Sequence, residues 1–364
     1  MHILVAPNAF KGTIPAEKAA ELIHSGIKKR YPDAKVVLEP IADGGDGTCL
    51  LLGKSSGFQK VEAFGLDPLG RSKVGFYFLH GDTAYLDVST LSGIRHLQPY
   101  ELDPNVCSTF GTGQLILDAV GKGAKNIVLG LGGSATIDMG LGILWALGFV
   151  FLDRQGKEIT PFSPDALFKI AHIQRPLYHR DLKFTCLCDV NNLFFGPEGA
   201  IPVFGPQKGL QPQQMDPYAG RCQQVVAMLS AKSGRVFEDR AGFGAAGGIA
   251  AGLSFFYAVN MEMGAGYFFE KVDLENKVKS VDAVVTGEGR YDLQSAAGKG
   301  PYELLKLAKK AGKTCILITS GNAGSETGFD RVIRLPDVDM GRADLAEVAQ
   351  ENLYQSVIQQ FDLG

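Results

Sequence analysis

The two ends of the chain share one pattern, in which short apolar runs alternate with helical segments. Residues 3–6 form the first apolar run, and residues 15–30 carry apolar side chains at helical spacing before a second run at residues 35–40. The pattern returns near the C-terminus, where the predicted strands are residues 282–286, 315–319 and 331–335 and the predicted helices are residues 302–311 and 345–361. Strands that alternate with helices are typical of a parallel sheet covered by helices. The five strands together predict one five-stranded sheet.

The pattern changes in the middle of the chain. The runs at residues 73–79 and 83–88 alternate apolar and polar side chains, and the turn signal His80-Gly81-Asp82 separates them, so they predict a β-hairpin. The 364 residues also exceed the roughly 250–300 at which one hydrophobic core stops growing. We therefore expect two domains, which are a discontinuous parallel α/β domain of residues 1–61 and 276–364 and an inserted mixed α/β domain of residues 62–275.

Composition and charge exclude several classes of protein. The 36 basic and 39 acidic residues give a formal net charge of −3, so no overall field draws the chain onto nucleic acid or an anionic membrane. The apolar stretches are shorter than the ~18 residues of a membrane span, and the N-terminus lacks the pattern of a signal peptide. The six cysteines include no C-x-x-C pair, which is typical of a reducing compartment. We expect a soluble, cytoplasmic protein that binds neither nucleic acid nor membrane.

Glycine is enriched, at 46 of 364 residues, against about 7% in typical proteins. The most informative glycine-rich segment is G-L-G-G-S-A-T-I-D-M-G at residues 130–140, between a predicted strand and a predicted helix. Backbone N–H groups at such a position bind phosphate, and glycines let the ligand approach them. The predicted phosphate-binding residues are Gly132, Gly133, Ser134, Ala135, Thr136 and Asp138.

The same segment also fits a dinucleotide-binding fingerprint. Gly130, Gly132 and Ala135 satisfy G-x-G-x-x-G/A, and Asp153 follows about twenty residues later at the end of a predicted strand. The polar groups at residues 136–138 are more than a pyrophosphate site needs, and the chain contains no G-x-x-x-x-G-K-[ST] motif. An NAD-dependent oxidoreductase of hydroxy acids is therefore the alternative to a phosphate-transfer enzyme.

Acidic residues follow two of the strands predicted for the parallel sheet. Asp43 and Asp46 lie in A-D-G-G-D-G-T at residues 42–48, and Glu288, Arg290 and Asp292 lie in T-G-E-G-R-Y-D at residues 286–292. Open α/β sheets bind ligands at the carboxyl ends of their strands. A mixture of carboxylates and a cation at that edge suits Mg²⁺ together with phosphate.

Further candidate residues lie at strand ends and turns. Asp189 closes the apolar run at residues 184–188 and could act as a base or a metal ligand. Lys11, Lys208 and Lys299 are each followed by glycine, which leaves an ammonium group accessible at a turn. Phosphoryl transfer needs such cations because charge develops on the transferred group.

Eight motifs occur in order along nearly the whole chain. They are A-P-N-A-F-K-G (6–12), A-D-G-G-D-G-T (42–48), S-T-F-G-T-G (108–113), G-G-S-A-T-I-D-M-G (132–140), C-D-V-N-N (188–192), F-G-P-Q-K-G (204–209), G-A-A-G-G (244–248), and T-G-E-G-R (286–290) continuing to G-K-G (298–300). Together they resemble the bacterial glycerate kinases that combine a flavodoxin-like domain with an inserted α/β domain. The chain departs from that family at Asn8, where many members carry aspartate, and at Leu193 and Leu293, which replace proline and glycine.

The resemblance implies ATP-dependent phosphorylation of D-glycerate with Mg²⁺, giving 2-phosphoglycerate and ADP. A 3-phosphoglycerate-forming kinase stays an alternative, and the resemblance leaves a homodimer open. It implies that the domain of residues 1–61 and 276–364 is flavodoxin-like.

The resemblance and the residue patterns together give each candidate side chain a role. The catalytic candidates are Asp189 or Asp43 as the group that accepts the hydroxyl proton, with Lys11 and Arg290 as charge stabilisers. The ATP-binding candidates are the Gly132–Asp138 segment and Lys208. The substrate-binding candidates are Asn8, Lys11, Arg290 and Lys299, and the metal-binding candidates are Asp46, Glu288 and Asp292.

Overall fold

The computed structural model describes residues 1–291, 299–321 and 327–362, and it divides into two compact units. Unit 1 consists of Met1–Asp43 together with Ala265–Gly364, and unit 2 is the segment Gly44–Gly264. The boundaries expected from the sequence, after residue 61 and before residue 276, stay a prediction. In the structure, residues 48–66 form a helix and a strand that contact the strands of unit 2.

The strands alternate with helices through much of the chain. In chain order they are β1 (His2–Val5), β2 (Lys35–Leu38), β3 (Gln59–Leu66), β4 (Ser72–His80), β5 (Thr83–Asp87), β6 (Asn126–Gly130), β7 (Val150–Leu152), β8 (His172–Gln174), β9 (Lys183–Cys188), β10 (Ala258–Met263), β11 (Ala283–Arg290), β12 (Thr314–Ser320) and β13 (Arg331–Leu335).

The α-helices range from single turns to a helix of 22 residues. They are α1 (Ala16–Arg30), α2 (Thr48–Ser55), α3 (Ser89–Ser92), α4 (Phe110–Gly121), α5 (Leu141–Ala146), α6 (Ala166–Lys169), α7 (Ala200–Phe204), α8 (Pro212–Ser233), α9 (Ile249–Leu253), α10 (Gly264–Lys271), α11 (Leu274–Lys279), α12 (Gly300–Lys310) and α13 (Leu345–Gln360). None of the helices in the described residues is both long enough and apolar enough to cross a membrane.

Unit 1 contains the five-stranded parallel sheet predicted from the sequence. Its order is β2-β1-β11-β12-β13, the strand order of flavodoxin-like folds, and every neighbouring pair is parallel. The central strands read as continuous apolar runs because helices cover both faces of such a sheet. Helices α1 and α13 pack together, and Gly26 of α1 lies so close to Val357 of α13 that a Cβ there would fall 2.7 Å from the Val357 Cγ1 atom.

Unit 2 is built on a mixed six-stranded sheet in the order β10-β9-β6-β5-β4-β3. Strands β10, β9, β6 and β5 run parallel to one another, and β4 and β3 complete one edge as antiparallel strands. The hairpin predicted around His80-Gly81-Asp82 is confirmed, because His80 pairs with Thr83 across the turn. The parallel strands β5, β6 and β9 end at Asp87, Gly130 and Cys188, at the same edge of the sheet. Loops that carry sequence motifs therefore lie at this carboxyl edge.

Candidate active site

Two glycine-rich loops of unit 2 lie against each other at the carboxyl edge of its sheet. A Cβ on Gly132 would overlap the backbone of Gly45 and Asp46, and a Cβ on Gly44 would overlap the backbone of Cys188. The loop of residues 44–47 therefore rests on the ends of β6 and β9, and only glycine permits this approach. Gly44 and Gly47 also have φ values of 100° and 82°, which favour glycine.

The loop after β6 presents hydrogen-bond donors. The backbone N–H groups of Gly132 and Gly133 donate to no residue in the described part of the chain, and both glycines are half-buried. The hydroxyl of Thr136 is buried and bonds to no described atom, whereas buried polar groups in native proteins are nearly always paired. Oriented donors of this kind are what an anionic ligand such as phosphate requires.

Lys208 lies beneath this loop and holds it by two hydrogen bonds. Its Nζ atom donates to Ser134 Oγ and to the carbonyl oxygen of Thr136, each at 2.8 Å. Burial lowers the pKa of Lys208 to about 7, and the nearby charge of Asp138 opposes that shift only in part. Because Ser134 Oγ accepts from Lys208, the Ser134 hydroxyl proton can be donated to a ligand. Lys208 thus shapes the loop from inside the unit.

Asp138 is engaged by the protein itself. Its carboxylate accepts hydrogen bonds from the backbone N–H and the hydroxyl of Thr109 and from the N–H groups of Gly140 and Gly142. These donors lie at the beginnings of α4 and α5, so Asp138 ties both helices to the loop. Burial nevertheless raises the pKa of Asp138 above its ordinary value. Its observed position is that of a structural carboxylate at the base of the loop.

A second glycine-rich segment supports the loop from the other side. A Cβ on Gly247 would overlap the carbonyl oxygen of Thr136, and the N–H of Met139 donates to the Gly247 carbonyl at 3.0 Å. Met139 and Ala246 both adopt left-handed backbone conformations, with φ of 52° and 50°. Non-glycine residues in this region are strained and persist only where the surroundings enforce them. The G-A-A-G-G motif therefore fixes the shape of the phosphate-binding candidate loop.

Three carboxylates lie at or near the same edge of the unit 2 sheet. Asp189 follows β9 and is half-buried, and Asp46 lies in the loop of residues 44–47, where Arg95 Nε approaches its Oδ2 to 3.5 Å. Asp87, at the end of β5, accepts hydrogen bonds from the N–H groups of Cys49 and Leu50 at the beginning of α2. Burial raises the pKa of Asp87 to about 7.

Asp87 was not among the residues singled out from the sequence. The signal that selected Asp189, an acidic residue that closes an apolar strand, is also present at Asp87. Thr109, which donates two hydrogen bonds to Asp138, likewise lies in a motif, S-T-F-G-T-G, that carried no predicted role. Both residues position helices beside the loops.

In unit 1, Asn8 and Asp43 form a buried pair at the carboxyl edge of the parallel sheet. Asn8 Nδ2 donates to Asp43 Oδ2 at 2.7 Å, and the N–H of Ala9 donates to Asn8 Oδ1 at 2.8 Å. Helix α12 begins beside them, because a Cβ on Gly300 would lie 3.6 Å from Asn8 Nδ2. Lys299 precedes that helix and is half-buried. A helix beginning carries a partial positive charge that attracts anions.

The other unit 1 candidates lie on the neighbouring strand ends. Arg290 is exposed at the end of β11, Glu288 is buried two residues earlier, and Lys11 is exposed with its backbone nitrogen near Gly289. Asp292 lies outside the described residues. The structure thus places Asn8, Asp43, Glu288 and Arg290 at one edge of the sheet, as parallel strands require.

The order of the strands does not fit a dinucleotide-binding site. The strand that ends before Asp153, β7, pairs with β8 in a separate two-stranded sheet and, among the described residues, is not a neighbour of β6. In a dinucleotide fold the acidic residue ends the strand beside the glycine-rich turn. The Asp153 carboxylate instead accepts the N–H groups of Gln155 and Lys157 in a turn.

The described residues offer few side chains that could bind a metal ion. They hold no group of three or more His, Cys, Asp and Glu side chains that is arranged to bind a metal. Mg²⁺ in phosphate-transfer enzymes is held by one or two carboxylates together with the substrate phosphates. Within unit 2, Asp46 offers carboxylate oxygens of the kind that this mode of binding uses, and within unit 1 Glu288 does the same.

The chain resembles known proteins over nearly its full length. Residues 3–362 match the model of the glycerate kinase family. A glycerate kinase of Bacillus subtilis (strain 168) is 37% identical over 316 residues, which cover 85% of this chain and 82% of the relative. The glycerate 2-kinase of Escherichia coli (strain K12) is 34% identical over 344 residues, covering 93% and 89%. A crystal structure from Salmonella typhimurium LT2, assigned as a glycerate kinase 2, has a TM-score of 0.81 at 31% identity and covers 99% of this chain and 96% of that chain.

Replacing Lys208 with methionine should change how stability depends on pH. Its pKa is about 7 when folded and about 10.4 in an unfolded chain, so between these values the unfolded state binds more protons and the free energy of unfolding rises with pH. The slope from this group approaches ~1.4 kcal/mol per pH unit. Urea titrations of wild type and Lys208→Met at about pH 7, 8 and 9 measure the difference in slope.

The matched control is Lys232→Met, which removes an exposed lysine of the same unit and should keep the wild-type slope. Equal slopes for wild type and Lys208→Met would contradict the buried, proton-poor state of Lys208.

Proposed function

Because the chain belongs to the glycerate kinase family, we propose that it transfers the γ-phosphoryl group of ATP to the 2-hydroxyl of D-glycerate, giving 2-phosphoglycerate and ADP. The observation that carries the proposal is the loop after β6, with N–H donors at Gly132 and Gly133, within a chain that matches the family from residue 3 to residue 362. The name of the Escherichia coli relative supports the 2-hydroxyl as acceptor. Transfer to the 3-hydroxyl is the alternative.

The phosphates of ATP bind to the loop of residues 132–136 in this proposal. The N–H groups of Gly132 and Gly133 and the hydroxyls of Ser134 and Thr136 donate to phosphate oxygens. Ala135 is buried and anchors the loop, because its N–H donates to the Ser92 carbonyl at 2.9 Å. Lys208 holds Ser134 in place, and the negative charge of bound phosphates would favour its protonated form. Asp138 contributes through the position of the loop rather than through a contact with the nucleotide.

Glycerate binds in unit 1 in this proposal. A small anionic substrate offers little apolar surface, so charge and hydrogen bonds must hold it. Lys299 and the beginning of α12 attract the carboxylate, and Asn8 beside them lies within reach of a hydroxyl group. The Asn8–Asp43 hydrogen bond fixes the orientation of the Asn8 amide.

The chemical step needs an acceptor for the proton of the attacking hydroxyl. As the glycerate oxygen bonds to the γ-phosphorus, the bond between that phosphorus and the β,γ-bridging oxygen breaks and ADP leaves. Asp189 or Asp43 accepts the proton that the hydroxyl loses. Lys11 and Arg290 stabilise the negative charge on the transferred group.

The candidates for holding Mg²⁺ are the carboxylates of Asp46 in unit 2 and of Glu288 and Asp292 in the sequence of unit 1, each considered within its own unit. When bound, the ion would neutralise charge on the β- and γ-phosphates. We place the reaction in the cytoplasm, and the small-molecule partners are ATP and glycerate. Association with a second copy of the chain is part of the proposal.

Phosphorus NMR of the reaction product tests the proposed activity. With D-glycerate, ATP and Mg²⁺ we expect the resonance of 2-phosphoglycerate to appear as that of ATP declines, because the phosphorus environment differs between the 2- and 3-phosphates. A product resonance of 3-phosphoglycerate would show that the 3-hydroxyl of glycerate is the acceptor instead. Binding of ATP without any phosphoglycerate would overturn the kinase assignment and leave a ligand-binding protein.

Exchanging the candidate bases for amides tests the proton acceptor. Asp189→Asn and Asp43→Asn remove a proton acceptor at almost constant shape, and the variant that lacks the base should lose about 10²–10⁴-fold in kcat. In Asp43→Asn the new amide oxygen can still accept from Asn8, so the fold of the edge is retained.

The matched control is Asp181→Asn, which alters an exposed carboxylate just before β9, at the opposite end of the strand that Asp189 follows. It should leave kcat unchanged. Near-normal kcat in both Asp189→Asn and Asp43→Asn would remove both carboxylates from the mechanism.

A further inference from the structure

Strand β3 is an edge strand of unit 2. It spans Gln59–Leu66, pairs with β4 along its whole length, and is the last strand of the six-stranded sheet. No other strand of the described chain pairs with its outer side. An unprotected edge strand of this length can pair with a strand of another chain, and natural proteins usually carry features that prevent such pairing.

One side-chain contact shows which backbone groups of β3 point outward. The N–H of Leu66 donates to Gln114 Oε1 of α4 and therefore points away from β4. Backbone groups alternate in direction along a strand, so those of Lys60, Glu62 and Phe64 also point toward the outer edge. Because α4 covers the edge at Leu66, the accessible part is residues 59–64.

The side chains along this edge are both charged and apolar. Lys60 and Glu62 are exposed on one face, with Lys60 Nζ 2.7 Å from Glu62 Oε1. Phe64 is 80% exposed on the same face and lies opposite Val74, which is 52% exposed. An exposed ion pair of this kind contributes little to the stability of its own chain. The edge thus presents two opposite charges and an exposed apolar pair; within its own chain Lys60 contacts Glu62 and lies over the Phe76 ring at 4.9 Å from its centroid.

We propose that the outer edge of β3 pairs antiparallel with β3 of a second copy of this chain, about a two-fold axis at Val61. In that register Lys60 lies opposite Glu62 of the partner subunit, and Glu62 opposite Lys60 of the partner subunit. In both pairs the outward-pointing backbone groups of Lys60 and Glu62 form the hydrogen bonds between the two strands. The residues that exchange these hydrogen bonds therefore also bring opposite charges together.

Charge complementarity selects this register over its neighbours. A two-fold axis at Glu62 would place that carboxylate opposite its own copy, and an axis at Lys60 would do the same with two ammonium groups, which is destabilising. The axis at Val61 also lies near the middle of the accessible residues 59–64. Phe64 then lies opposite Phe58 of the partner subunit, an aromatic cross-strand pair. The two six-stranded sheets join into one continuous sheet with an isologous contact.

The test is the oligomeric state of charge-reversal variants, measured by sedimentation equilibrium. Wild type should have twice the chain mass of 39.0 kDa. Glu62→Lys and Lys60→Glu each place like charges opposite one another and should weaken association by at least about tenfold. The double variant Lys60→Glu/Glu62→Lys restores opposite charges in the antiparallel register and should recover the dimer.

The control is Glu238→Lys, which reverses one member of the exposed Glu238–Arg240 pair, also two residues apart and also in unit 2. It should stay dimeric. The proposal is overturned if wild type is a monomer, if Glu62→Lys associates as tightly as wild type, or if the double variant fails to recover. The outcome does not depend on the kinase activity, because none of these residues belongs to the proposed active site.

Discussion

The close approach of Gly132 to the backbone of Gly45 and Asp46 is the contact on which the candidate site of unit 2 depends. It lets two loops share the carboxyl edge of one sheet, and Gly44 makes the same kind of approach to Cys188. No side chain can be accommodated at either contact. The glycine excess of the chain is therefore in part a requirement of this edge, where backbone meets backbone and N–H groups stay available for a ligand.

Buried polar groups then give the loop a single shape. Lys208 and Asp138 are buried, and each is satisfied by hydrogen bonds to the loop or to the helices beside it. Groups of this kind are expensive to bury and specify one arrangement only when their partners are all present. The Thr136 hydroxyl is the exception, since it is buried without a partner among the described residues. That exception lies in the loop proposed to bind phosphate, where a ligand would supply the missing acceptor.

The sequence predicted the elements whose signals are local. The five parallel strands of unit 1 are apolar runs, and the turn at His80-Gly81-Asp82 marks the hairpin. Strand β10 was not foreseen, because A-V-N-M-E-M mixes polar and apolar residues and is half-exposed at a sheet edge. The structural position of Asp138 and the burial of Asp87 and Lys208 arise from long-range packing, which no local pattern encodes.

In the proposed mechanism, the N–H groups of Gly132 and Gly133 bind the phosphates of ATP. Amide NMR of protein labelled with ¹⁵N-glycine tests it directly, with a non-hydrolysable ATP analogue as ligand and adenosine as the phosphate-free control. We expect the analogue to shift the Gly132 and Gly133 amide resonances and adenosine to leave them unchanged, while the resonances of the helical residues Gly121 and Gly220 stay in place. Saturable binding of the analogue that leaves the Gly132 and Gly133 resonances unchanged would contradict it.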